Sequence, residues 1–411
     1  MRILWVKAGG LVPPDTGGKI RSYSILQQLA KRHEVTLFTF YRKYDGDRHS
    51  ELAHLFHRVV CVPLPLPASR TFSEVALYVR NLLTLQPYSV AKFCQPLVSG
   101  EVRDLLRDHT FDVVVCDFVN AAGVLPWDIS CPKILFTHNV EAQIWWRHYQ
   151  NARNPLWSAV SLREYNAMNR TELTYVKSAD HVLTVSEADR EYFSCFIDAC
   201  KITVIPTGVD IHFFQPDPCQ PEGNTLVFTG SMDWIPNEDA MLYFIKAIFP
   251  HIRQQVPDTC LWIVGRKPSA RLKALAAQEN GVRVTGRVDD IRPYVCDAAV
   301  YVVPLRIGGG TRIKIFEAMA MGKAVVSTAI GAEGLPVQQE ENILLADQPK
   351  EFANKVVALL KDPRYRTSLG TAARKLVEQK HSWELVGADF ERALAKVVGS
   401  TLGRPVECNV S

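Results

Sequence analysis

Residues 299–322 read Ala299-Val-Tyr-Val-Val-Pro-Leu-Arg-Ile-Gly-Gly-Gly-Thr-Arg-Ile-Lys-Ile-Phe-Glu-Ala-Met-Ala-Met-Gly322. The opening run, Ala299 to Val303, is apolar throughout and rich in β-branched side chains, the pattern of a strand buried on both faces of a parallel sheet. From Thr311, placed as its cap, to about Met321 the spacing predicts a helix. Between the two, Gly308, Gly309 and Gly310 lack a Cβ, so a ligand can approach the backbone closely. A helix N-terminus offers unpaired N–H groups and the positive end of a dipole, which suits a phosphate. Arg312 and Lys314 add two cations to the first turn, where the dipole disfavours them unless an anion completes the set. Glu317 then breaks an apolar run of Ile313, Ile315, Phe316, Ala318, Met319 and Ala320. A carboxylate there can accept hydrogen bonds from the vicinal hydroxyls of a sugar.

A plainer reading stands beside this one. Glu317 lies three residues after Lys314 and can pair with it on the helix surface, a contact worth a few tenths of a kcal/mol, and three glycines can be only a loop. A nucleoside-triphosphate P-loop is excluded. That motif ends in Gly-Lys-Ser/Thr, and the Gly-Lys pairs here, Gly18-Lys19 and Gly322-Lys323, precede Ile20 and Ala324.

Strand, glycine loop and a helix reading Ile315-Phe-Glu-Ala-Met-Ala-Met-Gly-Lys-Ala-Val-Val-Ser-Thr328 resemble the donor-binding motif of the retaining family 4 glycosyltransferases of GT-B fold. In that family two glutamates are separated by seven residues, the first holding the donor sugar and the second the donor ribose. Glu317 matches the second. The first falls on Gly309, so the sugar contact does not carry over, and backbone N–H groups of the loop are the available replacement. Many members also place an Arg and a Lys just after the first strand of this domain to neutralise the donor pyrophosphate. Here Ser231-Met-Asp-Trp-Ile-Pro-Asn237 supplies neither, and Arg312, Lys314, Arg266 and Lys267 are the substitutes.

Outward from the motif, apolar runs at Leu226–Thr229, Leu261–Val264, Val282–Thr285 and Ala324–Ser327 alternate with helical patterns, which predicts an α/β domain. Gly230, Arg266, Arg287, the Gly308–Gly310 loop and Glu333 fall at the carboxyl ends of its strands, where open α/β sheets bind ligands. A Pro-rich segment, Gln215 to Pro221, marks a domain boundary. Upstream the alternation recurs: strands at Ile3–Ala8, Glu34–Phe40, Val59–Val62, stopped by Pro63, Val113–Cys116 and Ile134–Thr137, with a first helix at Ser22–Lys31. Gly17-Gly18 with Arg21, in the loop before that helix, resemble the family's Pro-x-x-x-Gly-Gly-x-x-Arg opening, which faces the donor phosphates. The Gly-x-Gly-x-x-Gly fingerprint of nicotinamide dinucleotide sites is missing. His138 closes its strand at the carboxyl end, where a family histidine lies beside the donor's leaving group, and it is the catalytic candidate. Asp45-Gly46-Asp47 spells a metal-binding Asp-x-Asp but reads as turn chemistry. Thr71-x-x-Glu74 is a capping box opening an amphipathic helix to about Leu85. Its apolar residues, among them Phe72, Val75, Val79, Leu82 and Leu83, are expected to pack on the sheet, the alternative being contact with a lipid-linked acceptor.

At 411 residues the chain suits two domains of roughly 200 residues each. With 47% hydrophobic and 22% charged residues and a net charge of +4, the composition is that of a soluble globular protein and points to no nucleic-acid partner. Ten cysteines without a Cys-x-x-Cys pair fit a reducing cytosol. No uncharged apolar run approaches the roughly 18 residues of a membrane span.

The expectation is therefore an α/β protein of GT-B fold, two Rossmann-like parallel-sheet domains facing each other across a cleft. Residues 1–214 form the acceptor-side domain, 222–380 the nucleotide-sugar side, and 381–411 a terminal helix, packing back on the first domain, with its tail. The resemblance implies transfer of a sugar from a nucleotide diphosphate donor to a glycan, lipid-linked or other glycoconjugate acceptor with retention, without metal or other cofactor. It places the protein in the cytoplasm, with peripheral contact at the inner membrane face. Alternatives are a non-catalytic sugar-nucleotide-binding subunit and a GT-B epimerase of the sugar nucleotide.

Overall fold

In the computed structural model, which describes residues 1–43, 49–68, 71–152, 154–216, 223–307 and 312–401, the buried β-branched runs assemble into two parallel sheets. Strands buried on both faces need helices on both sides, and the long βαβ crossovers of a parallel sheet supply them. The chain divides into two units, Met1–Pro206 with Val386–Ser411, and Thr207–Leu385.

The first unit holds β1 (Arg2–Ala8), α1 (Gly17–Ala30), β2 (Glu34–Arg42), β3 (Arg58–Leu64), α2 (Phe72–Asn81), α3 (Tyr88–Ala91), α4 (Pro96–Asp108), β4 (Val113–Asp117), α5 (Val119–Ala122), β5 (Lys133–Phe136), α6 (Glu141–Gln150), α7 (Pro155–Ser178), β6 (His181–Thr184), α8 (Glu187–Ser194) and β7 (Ile202–Val204). The sheet order is β3-β2-β1-β4-β5-β6-β7. The direction of winding reverses between β1 and β4, and that switch point opens a crevice at the carboxyl ends of the strands.

The second unit holds β8 (Thr225–Thr229), α9 (Ile235–Tyr243), α10 (Phe249–Gln255), β9 (Cys260–Val264), α11 (Ala270–Gln278), β10 (Val282–Gly286), α12 (Arg292–Cys296), β11 (Val300–Val303), α13 (Ile313–Ala320), β12 (Ala324–Ser327), β13 (Leu344–Leu345), α14 (Pro349–Lys361) and α15 (Pro363–Lys380). Its order, β10-β9-β8-β11-β12-β13, puts the switch point between β8 and β11. Helix α16 (Trp383–Thr401) leaves the second unit at Leu385 and continues in the first. There Phe390 packs on Trp5 and Phe136, at centroid distances of 5.4 and 5.2 Å. Glu391 meets Arg32 at 2.8 Å and His33 at 3.0 Å.

Four expectations change. Helix α1 starts at Gly17, so Gly17-Gly18 form its first turn instead of a loop before it. Strand β3 runs through Pro63 to Leu64, because an edge strand tolerates a residue without an N–H on its open side. The first unit ends at Pro206 rather than Phe214: Val209, Ile211 and Phe214 belong to the apolar core of the second unit. Helix α2 has its Thr71 cap, which accepts from the Glu74 N–H, but its apolar side does not pack on the sheet; Phe72, Val75, Val79, Leu82 and Leu83 are exposed. Among the described residues no helix is long and apolar enough to cross a membrane.

Candidate functional site

In the second unit the ligand groups gather at the switch point. Strand β8 ends in Gly230, whose φ of +156° is one that side-chain-bearing residues rarely adopt. A Cβ at this position would lie 2.7 Å from the Asn237 Nδ2 and 2.8 Å from the Lys314 Nζ, so glycine is what admits both groups. Lys314, from the first turn of α13, donates to the Asn237 Oδ1 at 2.8 Å and stands over the ring of Phe228 at 4.2 Å. The loop after β8 carries no Arg or Lys, yet an ammonium reaches its edge from another element.

Glu317, one turn further along α13, does not take the surface pairing with Lys314 that its spacing allows. Among the described residues its carboxylate has no hydrogen-bond or ion-pair partner. Burial pushes it up to about 7, against the pull of Lys314. Lys314 is itself held down to about 7, by burial first and then by Arg312, with Glu317 opposing. A ligand that brings phosphate to the ammonium and hydroxyls to the carboxylate supplies what burial removed from both.

The other candidates of this unit are less open to a ligand. Arg312 occupies the N-cap position of α13, is almost fully buried, and donates to the Ile330 carbonyl at 3.1 Å. Arg266 donates to the Ser231 Oγ at 2.6 Å and lies 3.9 Å from Asp233, which also pairs with Lys267 at 3.3 Å. Arg287 follows β10 and is exposed. Gly308, Gly309, Gly310 and Thr311 lie outside the described residues, as does Asp45-Gly46-Asp47.

In the first unit His138 is 5% exposed and sits at the end of β5. Its Nε2 meets the Asp117 Oδ1 at 2.8 Å. The other Asp117 oxygen accepts from the Trp5 Nε1 and the Lys7 Nζ, both at 2.9 Å. Lys7 also donates to the Ser22 Oγ at 3.0 Å, and Ser22 donates to the Gly18 carbonyl at 2.9 Å. Burial alone would raise the Asp117 carboxyl, but Lys7 and His138 hold it well below the usual carboxylate range. Burial lowers His138 to about 4, against the attraction of Asp117. The ring is therefore neutral near pH 7, and a carboxylate facing Nε2 fixes the proton there. Nδ1 is left as an acceptor. It points to the first turn of α1, where a Cβ on Gly18 would come within 3.3 Å of it. Arg21 is fully buried; burial lowers its guanidinium to about 9, with Asp189 and Asp117 opposing.

Phe118 sets its ring edge-on to His138 at 5.2 Å from a backbone with φ +79° and ψ 146°. A non-glycine residue there costs roughly 1–3 kcal/mol and persists where the surroundings over-determine it.

Sequence reading missed Asp117, Lys7, Ser22, Trp5 and Asn237. A signal existed for two of them: Lys7 and Asp117 are charged residues at the carboxyl ends of apolar runs, in strands that pair side by side with Lys7 opposite Asp117. Trp5, Ser22 and Asn237 join the sites only through tertiary contact.

Two parallel sheets with ligand groups at both switch points define the GT-B class of sugar-transferring proteins. The family model for glycosyl transferases group 1 matches residues 223–362, and that for glycosyltransferase family 4 matches residues 16–213. Together they span most of the chain, which belongs to the group 1, family 4 glycosyltransferases and is a glycosyltransferase enzyme. It is 28% identical over 409 residues to a GDP-mannose-dependent alpha-(1-6)-phosphatidylinositol monomannoside mannosyltransferase of Mycolicibacterium smegmatis, covering 93% of this chain and 96% of that one. A phosphatidyl-myo-inositol mannosyltransferase of the same organism matches at 29% identity over 48% of this chain, and the match spans only 52% of that relative's length. Among solved structures, sucrose-phosphate synthase from Thermosynechococcus elongatus aligns with a TM-score of 0.74 at 19% identity, covering 97% of this chain and 99% of that one. Anabaena Alr3699/HepE in complex with UDP aligns with a TM-score of 0.67 at 17% identity, covering 96% and 100%. At these identities the structural likeness speaks for the fold.

Proposed function

We propose that the chain moves a sugar from a nucleotide diphosphate donor to a glycan, lipid-linked or other glycoconjugate acceptor with retention at the anomeric carbon. In this reading it works at the cytoplasmic side of a membrane, in peripheral contact with it, and needs no metal or other cofactor. The observation that carries the reading is the Gly230–Asn237–Lys314 cluster with the unpartnered Glu317 carboxylate one turn away. Charge builds on the diphosphate as its bond to the sugar breaks, and an ammonium fixed beforehand stabilises that charge without reorganising. Glu317 accepts from the ribose hydroxyls. The amides of the Gly308–Thr311 loop and of the first turn of α1 at Gly17-Gly18, with Arg266, Arg287 and Arg312, complete the proposed donor set. His138, through Nδ1, accepts from a hydroxyl of the donor sugar. The relatives' names mention both GDP-mannose and UDP, and they support a nucleotide diphosphate donor without choosing the base.

Calorimetric titration of UDP and GDP against uridine and guanosine tests the reading. The diphosphates bind the parent chain, and Lys314→Gln weakens them by about tenfold or more, the scale of one charge-assisted hydrogen bond, while nucleoside binding changes little. Equal losses for diphosphate and nucleoside remove Lys314 from the phosphate site. Anomeric proton couplings of the transferred sugar, compared with those of the donor, decide retention.

A further inference from the structure

Helix α2 is mounted with its apolar side to solvent. Glu74, Leu77, Tyr78 and Asn81 recur at helical spacing and face inward, and the contacts behind them are largely polar. Tyr78 donates to the Glu164 Oε1 at 3.1 Å, and the Arg163 Nη2 donates to the carbonyls of Asn81 and Thr84 at 2.9 and 2.8 Å. The outward stripe is Phe72, Val75, Val79 and, in the turn that follows, Leu82, Leu83 and Leu85. Phe72 is 89% exposed, Leu83 91% and Leu85 75%. Single exposed apolar side chains need no explanation, but a continuous stripe held rigidly from behind marks an interaction surface.

The charges say what covers it. From Thr71 to Pro87 the acid is Glu74, on the inward stripe, and the exposed charge is Arg80. Glu74 also lines a concavity of about 210 Å³ at the carboxyl ends of β1 and β2, together with Gly9, Arg42, Tyr88 and Lys92. The Lys92 ammonium stands 5.5 and 5.1 Å from the ring centroids of Tyr88 and Phe93 and makes no ion pair among the described residues. An apolar stripe bordered by Arg80 and continuous with a basic concavity matches a surface that is oily inside and anionic at its edge.

We infer that the outward face of α2, with Leu82, Leu83 and Leu85, docks the first unit on an anionic lipid bilayer, and that the acceptor is carried by that bilayer with an anionic group reaching the Lys92 concavity. This rests on the glycosyl-transfer reading for the word acceptor; the docking itself does not. A second copy of this chain is the other occupant an apolar stripe could take, and the test separates the two.

The full chain is floated with vesicles of phosphatidylcholine and phosphatidylglycerol at seven to three, and with phosphatidylcholine alone, in the absence of donor and acceptor. The parent floats with the anionic vesicles. Phe72→Ser, Val79→Ser and Leu83→Ser together lower its partition coefficient about a hundredfold, with an unchanged melting temperature because these side chains are already in water. Arg80→Glu lowers partition to anionic vesicles by about fivefold or more and leaves neutral vesicles unaffected. A parent chain that does not float, or a triple variant that floats equally well, overturns the proposal. So does a parent dimer that the triple variant splits into monomers while neither floats, since the face would then join two copies. Floating without nucleotide binding refutes the transfer reading instead and leaves the docking surface standing.

Discussion

Asp117→Asn keeps the shape of a fully buried side chain and removes its charge, and the surrounding hydrogen bonds dictate how the amide settles. Two donors, the Trp5 Nε1 and the Lys7 Nζ, converge on Oδ2 at 2.9 Å each, whereas Oδ1 has the His138 Nε2 at 2.8 Å. The amide oxygen takes the place that faces two donors, so its NH2 points at His138. Nε2 must then accept, and the ring proton moves to Nδ1, turning the proposed acceptor into a donor. Turnover at saturating donor should fall about a hundredfold, the scale of losing one catalytic hydrogen bond. Stability should fall as well, by about 3 kcal/mol, because the Lys7 ammonium loses its buried counter-charge. The second substitution Lys7→Met separates the two effects. It should recover most of the stability in the double variant but none of the rate, since the Trp5 donor still orients the amide. Nitrogen shifts of the imidazole report the tautomer, thermal melting the stability and single-turnover transfer the rate. A His138 ring that keeps its proton on Nε2 in Asp117→Asn, or a double variant that regains both stability and rate, refutes the reasoning.

Three further outcomes are expected. Gly230→Ala places a Cβ 2.7 Å from the Asn237 Nδ2 and 2.8 Å from the Lys314 Nζ, so diphosphate affinity by calorimetry should drop roughly tenfold to a hundredfold; an unchanged dissociation constant would mean that the cluster is not the phosphate site. Glu317→Ala should weaken nucleotide binding far more than turnover at saturation, because a ribose contact is made equally in ground and transition states; a preserved affinity with a fallen rate would reverse its role. Lys314 is held near pKa 7 by burial, with Arg312 adding and Glu317 opposing. Above that pH it must take up a proton to meet phosphate, so UDP affinity should decline from pH 7 toward 9 relative to Lys314→Arg, which stays charged throughout. Parallel pH profiles for the parent and the Arg variant would show that Lys314 does not titrate on binding.

The α/β class was legible in the sequence because parallel strands buried on both faces leave unmistakable apolar runs: Val113–Asp117, His181–Thr184 and Val300–Val303 are buried at every position. Glu317 was legible for the opposite reason, a carboxylate breaking an apolar helix just after a glycine loop. Strand ends shifted by a residue or two, and Gly17-Gly18 moved from loop to helix, because local propensity cannot see which backbone N–H groups the fold will pair. The assembly of each site lay beyond the sequence. The ammonium that residues 231–237 lack comes from Lys314 across a gap that only Gly230 leaves open, and the carboxylate that fixes His138 comes from the neighbouring strand. The facing of α2 was hidden as well: an amphipathic pattern states that a helix has two sides, and only the tertiary contacts of Tyr78 with Glu164 and of Arg163 with the Asn81 and Thr84 carbonyls decide which side meets water.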